Sequence, residues 1–423
     1  MISLTADGDR DKVGGERNGK MDTALDDFAK LERSYRRRIA AAPSAFRRAL
    51  AGKIDWADRL ICVKGPRGVG KTTLLFQHIR ETFPEAGKAL YASLDHLWFA
   101  THDLEDLVED HWTHGGTHVF LDEVHHLPEW QTRLKNLYDD FPELHFAYTG
   151  SSMLRIDRSA GDLSRRQAVY ELPGLSFREY LAFEHGVDIP PLEFGDLLDR
   201  HEAIAEEICG RVKVLPAFET YLRRGYYPFF KETRHGYGQR LAQVALQVLE
   251  GDYPAVEEVT ASTIRKAKKM LMILADRVPQ KVNFEKLCRE LETDRNLGLK
   301  MLDALERGGL LGLLSDRARS LKGLSRPEKI YLGDTNLMSA LSRSPEAGTV
   351  RETFFFNQVR QVLPVHYPAR GDFLVDGKWT FEVGGKGKKF NQIADERDGY
   401  LAVDGIETGG RHRIPLWMFG LLY

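Results

Sequence analysis

Gly65-Pro66-Arg67-Gly68-Val69-Gly70-Lys71-Thr72-Thr73 carries more chemistry than any other stretch of the sequence. Its glycines and its Lys-Thr pair stand at the spacing Gly-x-x-x-x-Gly-Lys-[Ser/Thr], which defines a phosphate-binding loop. Glycines reach backbone torsions that other residues resist, so successive N–H groups can turn inward around phosphate oxygens. Lys71 adds a point charge on the phosphates. The Thr72 hydroxyl is placed to ligate Mg2+. Such a loop must leave a buried strand and open a helix, whose positive N-terminus then faces the same phosphates. Both flanks fit: apolar Leu60-Ile61-Cys62-Val63 precedes the loop, and Leu74-Leu75-Phe76-Gln77-His78-Ile79 continues as a helix.

A second constellation follows about fifty residues later. Val119-Phe120-Leu121-Asp122-Glu123 is an apolar run ending in two acids. In a doubly wound sheet, ligands bind beyond the carboxyl ends of the strands, so acids there meet the loop. Asp122 can support Mg2+ through its water shell, and Glu123 is placed to orient and deprotonate the attacking water. The next apolar run, Phe146-Ala147-Tyr148-Thr149, opens onto Gly150-Ser151-Ser152. There Thr149 and Ser151 can reach the γ-phosphate or the water, although an ordinary strand-to-turn transition gives the same pattern. His111, His114, His118, His125 and His126 crowd this region. His114 and His118 have the i, i+4 spacing of zinc ligands, but Gly115-Gly116 between them argues against a helix, so metal binding by histidine is not expected. His125 is instead placed to pair with Glu123 and hold it away from water until a partner binds.

The elements that position these residues are legible in outline. Apolar runs at 60–63, 89–94, 117–122, 145–149 and 168–172 alternate with helical patterns over 74–83, 104–112 and 130–141. That alternation predicts an α/β fold with a doubly wound parallel sheet. Before it, Phe28, Leu31, Tyr35 and Ile39 fall on one face of a helix. Arg36-Arg37-Arg38 lies beside that face, as a solvated surface or a phosphate contact. Residues 1–20 are polar and are expected to be disordered.

Composition excludes several classes. The 423 residues are 42% hydrophobic and 29% charged, with net charge −2, so the chain as a whole is no polyelectrolyte partner for nucleic acid. Cys62, Cys209 and Cys288 form no Cys-x-x-Cys pair, against a disulfide framework or a zinc cluster. No apolar run is long enough to span a membrane, and the N-terminus lacks a signal-peptide core. A cytoplasmic location is expected.

After Ser176 the pattern becomes helical to about Leu249, with a break at Val187–Pro191. Residues 260–335 read helix, helix-turn-helix and hairpin, the order of a winged helix. Thr293-Asp294 is placed to cap the helix Arg295–Arg307, Gly308-Gly309 ends it, and strands at 310–314 and 329–332 enclose a basic loop with Arg317, Arg319, Lys322 and Arg326. Winged helices bind DNA or serve as protein-interaction modules. The mixed charge of the helix, Arg295, Lys300 and Arg307 against Asp303 and Glu306, leaves both open. Residues 350–423 return to strands. There Asp372, Glu382 and the upstream Glu352 resemble the Mg2+-binding acids of restriction-type nucleases, which carry a lysine two residues after the second acid. Gly384 stands there instead, and Lys386 comes two residues later, so a nuclease-like fold kept for binding is favoured over an active nuclease. Lys386, Lys388 and Lys389 remain available to phosphates.

Taken in order, Gly65–Thr73, Leu121-Asp122-Glu123, Thr149-Gly150-Ser151-Ser152, Arg166 and Leu172-Pro173-Gly174-Leu175-Ser176-Phe177-Arg178-Glu179-Tyr180 resemble the prokaryotic AAA-type ATPases that carry a DUF4143 C-terminal region. Where that family usually has Gly-Arg before the last run, this chain has Arg165-Arg166. The resemblance implies ATP as the nucleotide, Mg2+ as its metal and a sensor or arginine-finger role for Arg166, in cis or from a neighbouring subunit of a homo-oligomer. It divides the chain into a tail (1–20), an ATPase core (21–175), a helical lid (176–258), a winged helix (259–340) and a degenerate nuclease-like domain (341–423). Three functions fit: ATP hydrolysis coupled to nucleic-acid binding or remodelling, a regulatory ATPase acting on a protein partner, and an ATP-gated Mg2+-dependent nuclease.

Overall fold

The computed structural model describes residues 28, 30–85, 87–151, 163–233, 235–277, 283–317, 326–390, 393 and 396–423. The expectation of a disordered tail over 1–20 lies outside them, as do Ser152, Arg319 and Lys322.

Five strands, β1 (Leu60–Gly65), β2 (Ala89–Ser93), β3 (His118–Asp122), β4 (His145–Ser151) and β5 (Ala168–Glu171), form one sheet in the order β2-β3-β4-β1-β5. Every pairing is parallel. Alternate residues of a strand face opposite sides, so a sheet covered on both faces needs apolar residues at nearly every position. Ile61, Val63, Tyr91 and Phe120 accordingly enter one core, and Leu60, Cys62, Leu90, Val119 and Leu121 the other. The covering helices are α1 (residues 30–40), α2 (Lys71–Thr82), α3 (Leu104–Thr113) and α4 (Trp130–Asp140). The order places β4 between the strand that feeds the phosphate loop and the strand that ends in Asp122. Sequence alternation could not show this, because adjacency in a parallel sheet is set by packing over long crossovers.

The run Leu172–Tyr180 has a direct structural account. Gly65, at the end of β1, lies so close to the chain after β5 that a Cβ there would sit 2.3 Å from the Leu172 carbonyl oxygen. Ser176 then caps α5 (Phe177–His185) in a capping box with Glu179, and Phe177, Tyr180 and Leu181 are buried. The Arg48 guanidinium ties this corner together. Its Nε lies 3.1 Å from both Glu179 carboxylate oxygens, while its Nη atoms donate to the carbonyls of Val69 (2.7 Å), Pro173 (2.7 Å) and Gly174 (3.0 Å).

Helices α6 (Phe194–Arg211), α7 (Val214–Arg224) and α8 (Tyr237–Gln247) follow. Between α7 and α8, a short turn, Pro228–Lys231, lays Phe229 against the phosphate loop. After α8 the helix widens into a π-turn, Val248–Asp252, and continues as α9 (Tyr253–Val256). Helices α10 (Ala261–Arg277), α11 (Phe284–Glu290) and α12 (Arg295–Arg307) precede an antiparallel pair, β6 (Leu311–Leu314) and β7 (Lys329–Leu332). Asp294 caps α12 through the Leu297 amide (2.9 Å), as the sequence predicts. Then come α13 (Thr335–Leu341), capped by Asp334, and α14 (Ala347–Val359).

The C-terminal strands β8 (Val365–His366), β9 (Phe373–Val375), β10 (Trp379–Gly384), β11 (Gly399–Val403) and β12 (Arg413–Pro415) form a second sheet in the order β12-β11-β10-β9-β8, parallel over β10–β12 and antiparallel at β9 and β8. Phe355 of α14 packs on Phe373, Phe381 and Phe419. Among the described residues, no helix is long and apolar enough to cross a membrane.

Candidate nucleotide site

Gly68 and Gly70 adopt φ of 84° and 99°, the left-handed torsions that let the loop fold back on itself. A Cβ at Gly68 would also meet Phe229 at 2.9 Å. Gly70 caps α2 without a side-chain hydrogen bond, and the first turn of α2 carries no acid. The opening amides of that helix are thus left for an anion. Lys71 is buried, and its Nζ donates to the loop's own carbonyls at Gly65 (2.9 Å) and Pro66 (3.2 Å), 4.0 Å from Glu123 Oε1.

Asp122 ends β3 beside this loop and accepts three hydroxyls. Thr72 Oγ1 donates to its Oδ2 at 2.6 Å, Tyr91 OH donates to the same oxygen at 2.7 Å, and Thr149 Oγ1 donates to Oδ1. Thr149 also accepts the Glu123 amide at 3.1 Å. One hydroxyl on β4 therefore holds the Asp122 carboxylate and the Glu123 backbone that follows it, which requires β3 and β4 to be neighbours. Glu123 stands at φ 55°, a left-handed conformation uncommon outside glycine, and only the surrounding contacts maintain such a torsion.

His125 stands beside Glu123, without a hydrogen bond between the two side chains. His125 is buried, and its Nε2 lies 3.4 Å from Glu123 Oε2. The Ser151 amide donates to its Nδ1 at 3.4 Å, so the neutral ring carries its proton on Nε2. A third carboxylate, missed in the sequence, completes this corner. Asp252 of the π-turn lies 3.8 Å from His125 Nε2, and Arg67 of the phosphate loop donates to it at 2.8 Å. Burial works to raise the Asp252 pKa, but His125, Arg67 and Ser151 outweigh it and hold the group below the usual carboxylate range.

Ligand atoms of Glu123, His125 and His126 lie within 4.8 Å of one another. These donors, rather than His114 and His118, are the ones brought together. Lys71 beside Glu123 already supplies a cation there, so the set is ill suited to a transition metal. For Mg2+ the fit is better: Thr72 and Asp122 present hard oxygens side by side.

Arg166 is not brought to the phosphate loop within one chain. It pairs with Asp139 at the end of α4 (3.1 Å), beside the starts of β4 and β5, whereas the loop lies at the opposite edge of the sheet. Tyr91 and Arg48 are the other site residues that sequence reasoning missed. A tyrosine in a buried strand needs a partner for its hydroxyl, which was a usable signal. Nothing in the sequence marks Arg48.

The three C-terminal acids are neutralised by lysines. Lys329 Nζ lies 3.0 Å from Glu352 and 3.5 Å from Asp372, while Lys388 Nζ lies 2.7 Å from Glu382. Burial would lower the Lys329 pKa, but Glu352 and Asp372 outweigh it and hold the group above its usual value. The stem of Lys388 lies over Gly384, within 2.7 Å of where a Cβ would stand. The residues present do not fit a Mg2+ site there.

Sheet order, loop and acids define a P-loop nucleoside triphosphatase fold. Within that class, residues 57–181 match the family described as an AAA domain (AAA_14). A second family, a domain of unknown function (DUF8612), matches residues 215–347, where the sequence resemblance had pointed to a DUF4143 region. The chain is similar to the uncharacterized protein MJ1637 of Methanocaldococcus jannaschii, with 27% identity over 296 residues, 67% of this chain and 62% of the relative. The chain thus spans about three fifths of that relative's length. Two solved structures show similarity over 60% of this chain and 84% of theirs, each at a TM-score of 0.26: a DNA replication initiation factor (17% identity) and AMPPCP-bound DnaA from Aquifex aeolicus (16%). The fold rests on the sheet order rather than on those scores.

Proposed function

We propose that this chain binds ATP with Mg2+ and hydrolyses it, and that its C-terminal elements use the cycle to bind or remodel a nucleic acid. The hydrolytic reading is carried by the chain of hydrogen bonds from Thr72 through Asp122 and Thr149 to the Glu123 backbone, which fixes the metal-binding and base positions relative to one another. The loop amides and Lys71 bind the phosphates. Thr72 and Asp122 hold Mg2+, which when bound neutralises developing phosphate charge. Glu123 accepts a proton from the water that attacks the γ-phosphorus, and ADP leaves with the bond electrons. Thr149 and Ser151, one strand over, report the outcome to β4. Arg166 reaches a phosphate only from a neighbouring copy of the chain.

The nucleic-acid part is supported by α10–α12 and the β6–β7 hairpin, which follow the order of a winged helix. The first turns of α12 expose Arg295, Asn296 and Lys300, the part of a recognition helix that meets base edges. A second reading, action on a protein partner, is favoured by the internal satisfaction of charge on the same helix: Arg295 pairs with Glu285, and Arg307 with Asp303 and Glu257. The nuclease reading loses ground because Lys329 and Lys388 occupy the acids.

ATP turnover measured with and without duplex and single-stranded DNA, across protein concentration, tests the set. DNA stimulation with steep salt dependence supports the first reading and counts against the second. A rate per chain that rises with concentration supports Arg166 acting between subunits. No turnover by the wild type, or turnover that survives Lys71→Ala, overturns the hydrolytic reading.

A further inference from the structure

Asp252 stands outside the AAA domain, within residues 215–347, yet it touches two separate parts of the nucleotide site. Arg67 of the phosphate loop donates to its Oδ1 at 2.8 Å, and the same oxygen lies 3.8 Å from His125 Nε2. It is about 1% exposed and sits in a π-turn, a rare local conformation that concentrates at functional sites.

The surroundings of His125 make this contact consequential. Its Nδ1 accepts the Ser151 amide, so Nε2 is the protonated nitrogen. That Nε2–H faces two carboxylates, Glu123 at 3.4 Å and Asp252 at 3.8 Å, and is hydrogen-bonded to neither. The other titratable and charged groups facing this corner are His126, with a ring nitrogen within 4.8 Å of the Glu123 and His125 ligand atoms, Lys71, 4.0 Å from Glu123, and Arg67. A carboxylate whose lone pairs accept a strong hydrogen bond is a poorer base and is fixed in place. Asp252 competes with Glu123 for the His125 Nε2–H and so keeps Glu123 free to take a proton from water.

The geometry points to Asp252 as a positioning residue through which the domain at 215–347 sets the activity of Glu123, acting through His125, and the placement of the phosphate loop, acting through Arg67. Docking of the π-turn leaves the base released. Withdrawal of the turn, by whatever the domain binds, leaves the His125 Nε2–H to hydrogen-bond Glu123, which ties up the base and silences hydrolysis.

This inference rests on the hydrolytic reading above, and the test separates the two. The full chain and its Asp252→Asn, His125→Ala and double variants are compared for kcat and KM with MgATP. Asp252→Asn is isosteric and keeps an acceptor for Arg67; Asp252→Ser replaces it if the first variant does not fold. The expected result is a loss of at least tenfold in kcat for Asp252→Asn with KM within about threefold, and a loss of less than about threefold for the same substitution in the His125→Ala background. A residue that only supports the fold costs the same in both backgrounds. If His125→Ala is itself too slow to assay, a crystal structure of Asp252→Asn decides: His125 Nε2 moves to about 2.8–3.0 Å from Glu123. Equal costs in the two backgrounds, an unchanged kcat, or an unmoved His125 overturns the inference alone. A wild type without ATP turnover overturns the hydrolytic reading instead.

Discussion

Arg48 and Glu179 form an ion pair with both side chains more than nine-tenths buried, and the same guanidinium holds the carbonyl of Val69 in the phosphate loop. The pair joins a residue ahead of the first strand to the cap of α5, so the loop is braced by two distant segments. Removing one partner strands a buried charge. Glu179→Ala is expected to lower unfolding free energy by about 3–5 kcal/mol in urea titrations. It is also expected to weaken MgATP binding measured by calorimetry. A loss below about 1 kcal/mol would show that the pair is solvated.

Glu123→Gln separates binding from chemistry. The amide keeps the shape but accepts no proton, so kcat is expected to fall by about 10²–10⁴ while ATP affinity changes little. Lys71→Ala is expected to lose binding itself. Nucleotide titration together with phosphate release distinguishes the two.

Thr149→Val removes the hydroxyl that donates to Asp122 and accepts from the Glu123 amide, and leaves volume nearly unchanged. The buried Asp122 carboxylate and the half-buried Glu123 amide then each lose a partner, which costs about 1–3 kcal/mol for the buried group and less for the other. Turnover is expected to drop at least tenfold, with Thr149→Ser restoring most of it. Equal activity of the valine and serine variants would remove β4 from the site.

Asp334 gives the fold a pH dependence. Burial raises its pKa from 3.8 to about 6, although the Leu337 amide, the Tyr227 hydroxyl and the Asn336 amide oppose it. The folded state therefore binds more protons than the unfolded chain between pH 4 and 6, so stability falls as pH rises through that window. At about 1.4 kcal/mol per unit, the loss from this group is on the order of 3 kcal/mol. Asp334→Asn keeps the cap and is expected to flatten this slope, so its stability relative to wild type improves from pH 4 to pH 7. Denaturant titrations at both pH values check the sign.

Lys388 neutralises Glu382, whose side chain is fully buried. Lys388→Ala is expected to lower the melting temperature, and adding Glu382→Gln to recover part of the loss. Stabilisation of the wild-type C-terminal region by Mg2+ would argue for the metal site that these lysines oppose.

The phosphate loop, Asp122 and Glu123 were legible because their chemistry is local: glycines at φ-demanding positions, a lysine at fixed spacing, and acids at the end of an apolar run. The five strands were legible for the same reason, since burial on both faces forces continuous apolar runs. Asp294 as a cap followed from its place before a helical pattern. Arg48 and Asp252 were not legible as site residues. Arg48 acts on Val69 and Glu179, and Asp252 on Arg67, across separations the chain does not encode locally. The lysine absent from position 384 was legible, but its replacement by Lys388 folding over Gly384 was not.

By itself, then, the sequence determined the phosphate-loop pattern and the candidate residues around it, because phosphate recognition depends on backbone torsion and charge within a few residues. Only the tertiary structure decided what surrounds them. It put β4 between β1 and β3 so that Thr149 meets the Asp122 carboxylate and the Glu123 backbone. It carried Arg166 to the far edge of the sheet. It brought Asp252 from the π-turn after α8 onto the loop and His125. Those choices follow from how helices and strands pack over long crossovers, where burial of whole faces outweighs any preference of a single residue.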